Sequence, residues 1–428
     1  MSASSRRVVL TGIGVINPLG LNATAYWEGI ARGQSAIRPL QAFDPSGMPS
    51  RIAGEIPNFD AKNFIDKKDR KSLRMMARAI QMAVSGAQLA LDDAGVKKDQ
   101  LDPTRFGVEF GAGLLPTELE ELGHASMASS NGEPGDVDLK KWGAAGLPCI
   151  PPLWMLKYLP NMLASHVSIL HNAQGPNNTI TESDVAGLLA LGEAQRIIAR
   201  NQADFFLVGG ADSKINPLSF VRQCLFGNLS TRNDAPEKAC RPFDRLRDGS
   251  VQGEGVAVLV LEELEHARRR GARIHAELVG FGSTFDRNRS GRGLARVMRI
   301  ALARAGITPD QVDHIGAHGL SSVRADPWEA QAIKEVFGAS SRPVPVFAPK
   351  SYFGNLGPGA APTEIVASLL AFQYGQLPVT LNYEEPDPAC PVTVPAKEAR
   401  AITKPYFLKT GFTELGQCAA AVFRKWEE

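Results

Sequence analysis

The sequence predicts a layered α/β fold built from two similar halves, on three observations. Short β-branched runs alternate with longer amphipathic ones along the chain. Residues 6–15 (RRVVLTGIGV) and 275–284 (HAELVGFGST) open two stretches in the same way, with an apolar run closing on G-x-G. Each opening is followed by a run with apolar residues every three or four positions, the spacing of a helix with one buried face. Strands that alternate with helices favour a mostly parallel sheet covered by helices. The length agrees, because 428 residues exceed one ordinary core and suffice for two fused units.

The first unit is taken as residues 1–265. Residues 6–15 read as a buried strand, 71–94 (KSLRMMARAIQMAVSGAQLALDDA) as a long helix and 105–112 (RFGVEFGA) as a second strand. The stretch at about 115–160, rich in Gly, Pro and charge, predicts an excursion from the regular layers, either a lid or a partner-facing insertion. A short strand at 178–181, a helix over 185–201 and strands at 205–213 and 256–264 complete this unit. The second unit, 266–428, begins with the strand at 275–284 and a helix at 292–305. Further strands are expected at 312–318, 343–349 and 419–424.

Composition excludes several functions. Lys plus Arg (47) nearly balance Asp plus Glu (45), a net charge of +2. No global field therefore draws the chain to nucleic acid or a membrane surface, and a charged partner must be read by a local patch. No run of 18 apolar residues occurs, so no bilayer span is expected, and the N-terminus lacks the apolar core of a signal peptide. Five scattered cysteines without C-x-x-C spacing fit free thiols in a reducing cytoplasm better than disulfides or a zinc site. With no phosphate loop and no full dinucleotide pattern, neither a cofactor nor a metal is expected.

Four blocks concentrate chemistry-bearing residues: GPNNTITESDVAGLLALGEAQRIIARNQADFFLVGGAD (175–212), RPFDRLRDGSVQGEGVAVLVLE (241–262), VDHIGAHGLSSVRADPWEAQAI (312–333) and PKSYFGNLGPGAAPTEIVASLLA (349–371). Their order and spacing resemble the nucleophile, R-P-F-D, histidine and lysine blocks of the β-ketoacyl-acyl-carrier-protein synthases, over about residues 6–425. The resemblance implies a thiolase-like layered αβαβα fold from two duplicated halves. It also implies acyltransferase-family chemistry of fatty acid or polyketide biosynthesis, an acyl carrier protein as partner, and a dimer. Carried over residue by residue, it implies His318 as the first pocket histidine, with Lys350 and Glu364 in a charged network below it and Asp326 and Glu329 nearby. Asn355 falls where the family keeps a second histidine. It retains an N–H donor for a thioester carbonyl but cannot exchange a proton.

The same register puts Asp184 at the family's nucleophilic cysteine. A cysteine at a strand-to-helix turn benefits from the helix dipole as a thiolate, and it holds an acyl group as a nearly isoenergetic thioester. An aspartate attacking there would form a mixed anhydride, costly to make from a thioester and easily hydrolysed. Asp184 is therefore expected to cap or charge the helix start without carrying an acyl chain. Ser183, one residue earlier, is the alternative nucleophile, but it would need a base within hydrogen-bond reach and reads more simply as an N-cap whose side chain turns away from the expected pocket. With Phe412 and Glu414 it is carried over as a substrate-binding position.

Two further departures concern substrate entry. The family's C-terminal gate loop is degenerate here as GFTELGQC (411–418), with Phe412 retained and Glu414 in place of the gating aromatic. The segment STFDRNRSG (283–291) is short and lacks the family's H-x-T-x-P turn. The basic run KKDRKSLRMMAR (67–78) is similar to the family's stretch before its long helix. On a helix, Lys67, Lys68, Arg70, Lys71 and Arg74 would display positive charge to an acidic carrier.

Three readings follow. The first is a non-condensing, chain-length-factor-like partner of a cysteine-containing synthase, as homodimer or heterodimer. The second is a malonyl-carrier decarboxylase using His318 and Asn355. The third is a recruited pocket with Asp184 as general base. Condensation through Cys224 or Cys240 ranks last, since neither lies at a strand–turn–helix start.

Overall fold

Strands in this chain are apolar on both faces, the pattern of a sheet covered from both sides. A computed structural model describes residues 6–427 apart from 98, 99, 134 and 228. The elements that position the site are β1 (Val8–Ile16), α1 (Arg78–Asp93), β2 (Phe106–Ala112), α2 (Leu119–Ser129), β3 (Asn177–Ile180), α3 (Ala186–Ala199), β4 (Phe205–Ser213) and β5 (Gln252–Glu263). They continue with β6 (Ala276–Phe285), α4 (Arg292–Ala305), β7 (Val312–Gly316), α5 (Ala325–Phe337), β8 (Val346–Phe347), α6 (Ala360–Tyr374), β9 (Tyr406–Phe412) and β10 (Gln417–Lys425).

The duplication is written in the sheet. The main path runs β3-β2-β4-β5-β1 through the first half, and β8-β7-β9-β10-β6 through the second. Numbered within each half, both orders are 3-2-4-5-1. In both halves strands 3, 2 and 4 are parallel, and strand 5 is antiparallel to each neighbour. The halves join through two residue pairs, Val9 with Glu277 and Leu10 with Ala276.

Helices complete five layers. Leu188 and Leu191 of α3 share one core with Ile365, Val366 and Leu369 of α6, and strand residues from both halves close it. On the outer side of the first half, Ile80 and Val84 of α1 pack on Val108, Phe110 and Val258. On the outer side of the second, Leu294 and Val297 of α4 and Ile333 of α5 pack on Ile315, Leu408 and Val422. Helix α6 is buried from Ala360 to Phe372. A helix apolar all round belongs inside a large core.

The structure corrects several expectations. The helix expected over 71–94 starts only at Arg78, because Met76 is extended (φ −116°, ψ 122°) and a short 3₁₀ turn, Arg70–Met75, precedes it. Leu73, Met76, Ala77 and Ile80 all enter one core, which the chain reaches by bending at 76–77. The strand expected at 343–349 shrinks to β8, since Pro343 and Pro345 bring no N–H to the ladder. The one expected at 312–318 ends at Gly316, which frees residues 317–322 as a loop. Strand β9 was not expected, because Lys409 interrupts its apolar run; that lysine is fully buried.

The 115–160 stretch, of which residue 134 lies outside the described residues, carries α2 and short turns and no strand of the main sheet. Leu119, Met127, Leu139, Leu147, Leu153 and Met155 are exposed on it. Among the described residues no helix is long and apolar enough to cross a membrane.

Candidate active site

Parallel strands in both halves aim their C-terminal ends at one place, where open α/β sheets characteristically build their sites. The link after β3 turns through Ser183–Val185 into α3 and delivers Asp184. The loop after β7 delivers His318, and the segment after β8 delivers Lys350 and Asn355. Asp184 and Asn355 thus follow equivalent strands of the two halves.

Asp184 Oδ2 accepts a hydrogen bond from Asn355 Nδ2 at 3.1 Å and lies 3.8 Å from His318 Nε2. Asn355 Oδ1 in turn accepts from the Gly357 backbone N–H at 3.2 Å, which fixes which end of the amide faces Asp184. Gly187 lets α3 come this close, since a Cβ there would meet the Pro358 carbonyl oxygen at 2.5 Å. Of the two expected roles, capping is corrected and charging the helix start is kept. No side-chain cap bond is made at either helical turn, while Asp184 lies in the first turn with its carboxylate facing the two donors.

His318 is a neutral donor. Burial, then Lys350 and Lys409, hold its imidazole well below the usual histidine range. Lys350 Nζ sits 3.3 Å from Nδ1 and 2.7 Å from the His318 carbonyl oxygen. An ammonium only donates, so Nδ1 accepts and the ring proton is assigned to Nε2, facing Asp184. The 3.8 Å approach is therefore dipolar rather than an ion pair. Phe412 covers the ring at a centroid distance of 4.8 Å and 60°.

Beneath the histidine lies a buried charge network. Glu364 bridges Lys350 and Lys409, and all three side chains are at most 1% exposed. Lys409 also donates to the carbonyls of Gly316 (3.1 Å) and Ala317 (2.9 Å), where β7 gives way to the site loop. Glu329 receives the N–H groups of His318 (2.7 Å) and Gly319 (2.8 Å) and the Thr410 hydroxyl (2.7 Å). Asp326 receives those of Leu320, Ser322 and Phe243. These carboxylates hold backbone, so the loop carrying His318 is pinned.

Other expected residues lie elsewhere. Ser183 is exposed and stands at φ 49°, a left-handed conformation strained for a serine. Glu414 leaves the pocket and pairs with Arg324 at 2.8 Å on the surface. The basic run occupies a loop and a 3₁₀ turn rather than one α-helical face. Lys67, Lys68, Lys71 and Arg74 are exposed, whereas Arg70 is half-buried and donates to the carbonyls of Lys62 and Ile65. Burial raises the Cys224 and Cys240 thiols above their ordinary range, so neither is a ready thiolate.

Residues 5–267 match the N-terminal domain of the beta-ketoacyl synthases, and residues 275–384 match their C-terminal domain. The chain belongs to the beta-ketoacyl synthase family. It is 37% identical over 401 residues to 3-oxoacyl-[acyl-carrier-protein] synthase 2 of Coxiella burnetii, covering 92% of each chain. To the same-named synthase of Vibrio harveyi it is 33% identical over 432 residues, covering 99% of this chain and 100% of the other. Among solved structures, the ishigamide ketosynthase/chain length factor superposes with a TM-score of 0.86 at 30% identity, covering 99% of this chain and all of that one. A beta-ketoacyl synthase from Burkholderia phymatum STM815 gives 0.88 at 30% over the same coverage.

For this beta-ketoacyl synthase homologue, reading the sequence missed three side chains at the site. Lys409 closes the buried network, Thr410 reaches Glu329, and Lys214 approaches Asp212 behind Asp184. A lysine inside an apolar strand pattern was the available signal for Lys409. Lys214 gave none, because a lysine just after a strand ordinarily sits on a solvated turn.

Proposed function

We propose that this chain is a non-condensing partner subunit of a cysteine-containing β-ketoacyl synthase, akin to the chain-length-factor members of the family. The observation that carries this reading is Asp184, at the turn entering α3, with its carboxylate engaged by Asn355 at 3.1 Å and facing His318 Nε2 at 3.8 Å. In this reading Asp184 stands where active relatives hold the nucleophilic cysteine. A carboxylate does not take an acyl group from a thioester at matched energy. The two donors suited to polarising a thioester carbonyl are also turned on the protein's own carboxylate. That arrangement weighs against malonyl decarboxylation, since a second anion beside a malonyl carboxylate is repulsive.

The site headed by Asp184 then borders the path of a carrier-borne acyl chain shared with the partner. Exposed apolar residues of the 115–160 insertion supply a pairing surface. Lys67, Lys68, Lys71 and Arg74, with Arg70 holding the turn, supply a local basic patch for an acidic carrier. A similar solved structure is that of a type II PKS acyl-carrier protein in complex with its ketosynthase, at a TM-score of 0.84 and 28% identity. We place the boundary between the halves at residues 265/266, and the protein, with its five free thiols, in the cytoplasm.

Co-expression with a cysteine-containing synthase tests the proposal. A stable heterodimer is expected, and the chain alone, given labelled acyl-carrier and malonyl-carrier, gains no acyl mass and releases no product. An acyl adduct on this chain followed by an extended ketone refutes it. Acetyl-carrier formation lost in His318→Ala favours the decarboxylase.

A further inference from the structure

The end of the sheet away from Asp184 carries a concave site of its own. Strand β1 runs parallel to β3, so Arg7, just before β1, lies at the opposite end from Asp184, just after β3. A groove of about 840 Å³ opens there. It is lined by Arg7, by Arg268 of the short helix Leu264–Arg269, by Tyr406 where β9 begins, and by Arg424, Lys425 and Trp426 where β10 ends.

Two features hold these cations in place. Glu277, which is buried, takes Arg7 Nε at 2.6 Å and Nη2 at 2.8 Å, and Arg424 Nη2 as well. The Trp426 ring carries the guanidinium groups of Arg7 and Arg268, 5.7 and 5.9 Å from its centroid. Arg268 Nη1 also pairs with Glu265 at 2.8 Å. Left over are Arg7 Nη1, Arg268 Nε and Nη2, Arg424 Nε and Nη1, and Lys425 Nζ, which make no hydrogen bond among the described residues. Donors fixed in advance cost less to order around a ligand than free surface side chains do.

The charges say what kind of ligand fits. With Arg269 and Arg273 alongside in the chain, the cations outnumber Glu265, Glu277 and Glu427. Those acids interrupt the positive field, so the groove suits a compact anion better than a long polyanion or a flat charged surface. The unused donors come from three separate segments and therefore from several directions. A carboxylate offers its two oxygens in one plane, whereas linked tetrahedral phosphates present oxygens all round to guanidinium forks.

We propose that the Trp426 groove binds a small soluble molecule carrying two or more linked phosphates, gripped by Arg7, Arg268, Arg424 and Lys425. The site stands independently of the partner-subunit reading.

Calorimetric titration of the full chain with pyrophosphate tests it. A Kd below about 1 mM is expected, with orthophosphate at least ~10-fold weaker. Arg268→Gln combined with Lys425→Gln leaves the Glu277 cluster intact and, once circular dichroism shows it folded, should weaken pyrophosphate at least ~10-fold. Arg287→Gln combined with Arg292→Gln removes the same charge beyond the far end of β6 and should change binding less than about twofold. Equal loss in the two double variants, or no binding by the wild type, overturns the inference. So does citrate binding as tightly as pyrophosphate, since charge alone would then suffice. Copelleting with phosphatidylglycerol vesicles that is lost in Arg268→Gln with Lys425→Gln would assign the groove to a membrane surface, and overturns the soluble ligand.

Discussion

In the second half, the loops that reach the site are tied down by their own charges: Glu329 and Asp326 hold backbone N–H groups, and Glu364 joins Lys350 to Lys409. The first half has the same strand order but treats its acids differently. Asp212 and Glu109 are both buried without a hydrogen-bond partner, and Asp184 leans across to the other half for its donor. The comparison separates two uses of buried charge. The second half's site acids hold backbone rigid. In the first half Glu254 and Glu262 find donors within the half, whereas Asp212 has only Lys214 at 3.5 Å and Asp184 takes its donor from the other half. A duplicated fold can thus keep the scaffold of a site in one copy while the other copy changes what the site does.

The sharpest way to break this contrast is Glu364→Ala. Two buried ammonium groups would lose their shared carboxylate, and a loss of about 3–5 kcal/mol in urea-unfolding free energy is expected. Asp212→Asn should cost far less in the same experiment; a similar cost would abolish the distinction between the halves.

Next comes Glu109, whose carboxyl burial pushes up to about 8, with Glu193 adding to it. Its folded pKa lies above the ordinary carboxylate value of 4.5, so the folded state binds the extra proton between the two. The stability this contributes is complete below about pH 4.5 and is lost as pH rises through about 8. The slope is about 1.4 kcal/mol per pH unit within that window. Chemical denaturation at a series of pH values should show it, and Glu109→Gln should flatten it.

Asp184→Cys sharpens the functional side. Stability should change by less than about 1 kcal/mol, because the side chain is partly exposed and has one hydrogen bond. A thiol there should become reactive towards iodoacetamide and gain an acyl mass from acyl-carrier. A silent thiol would show that a cysteine at this turn is not by itself enough to make the site take an acyl group. The smallest effect expected is for Glu414→Ala, about 0.5 kcal/mol or less by thermal unfolding, since the Arg324 pair it breaks is exposed.

Much of this was legible because it is local. The strand–turn–helix around Asp184 and the short blocks holding His318, Lys350, Asn355 and Glu364 each keep their residues within a few turns of chain, so their resemblance to the family's motifs located them. What was missed depends on distant partners. Nothing near Met76 breaks a helix; the bend exists because its side chain and those around it must reach one core. Lys409 makes sense inside a strand only once Glu364 of α6 and the carbonyls beyond β7 are placed against it. Lys214 and Glu414 show the same limit in opposite directions, one drawn inward by Asp212 and the other drawn out of the pocket by Arg324.

Helix α6 has a consequence for how the chain can be made. It comes from the second half but finishes the middle layer for both, and it has no face fit for water from Ala360 to Phe372. Severing the gene between the halves would leave each product with raw, sticky walls, and neither would survive alone in solution. The ancestral repeats have become mutual chaperones, so a newly synthesised first half must stay guarded until the last third of the polypeptide arrives.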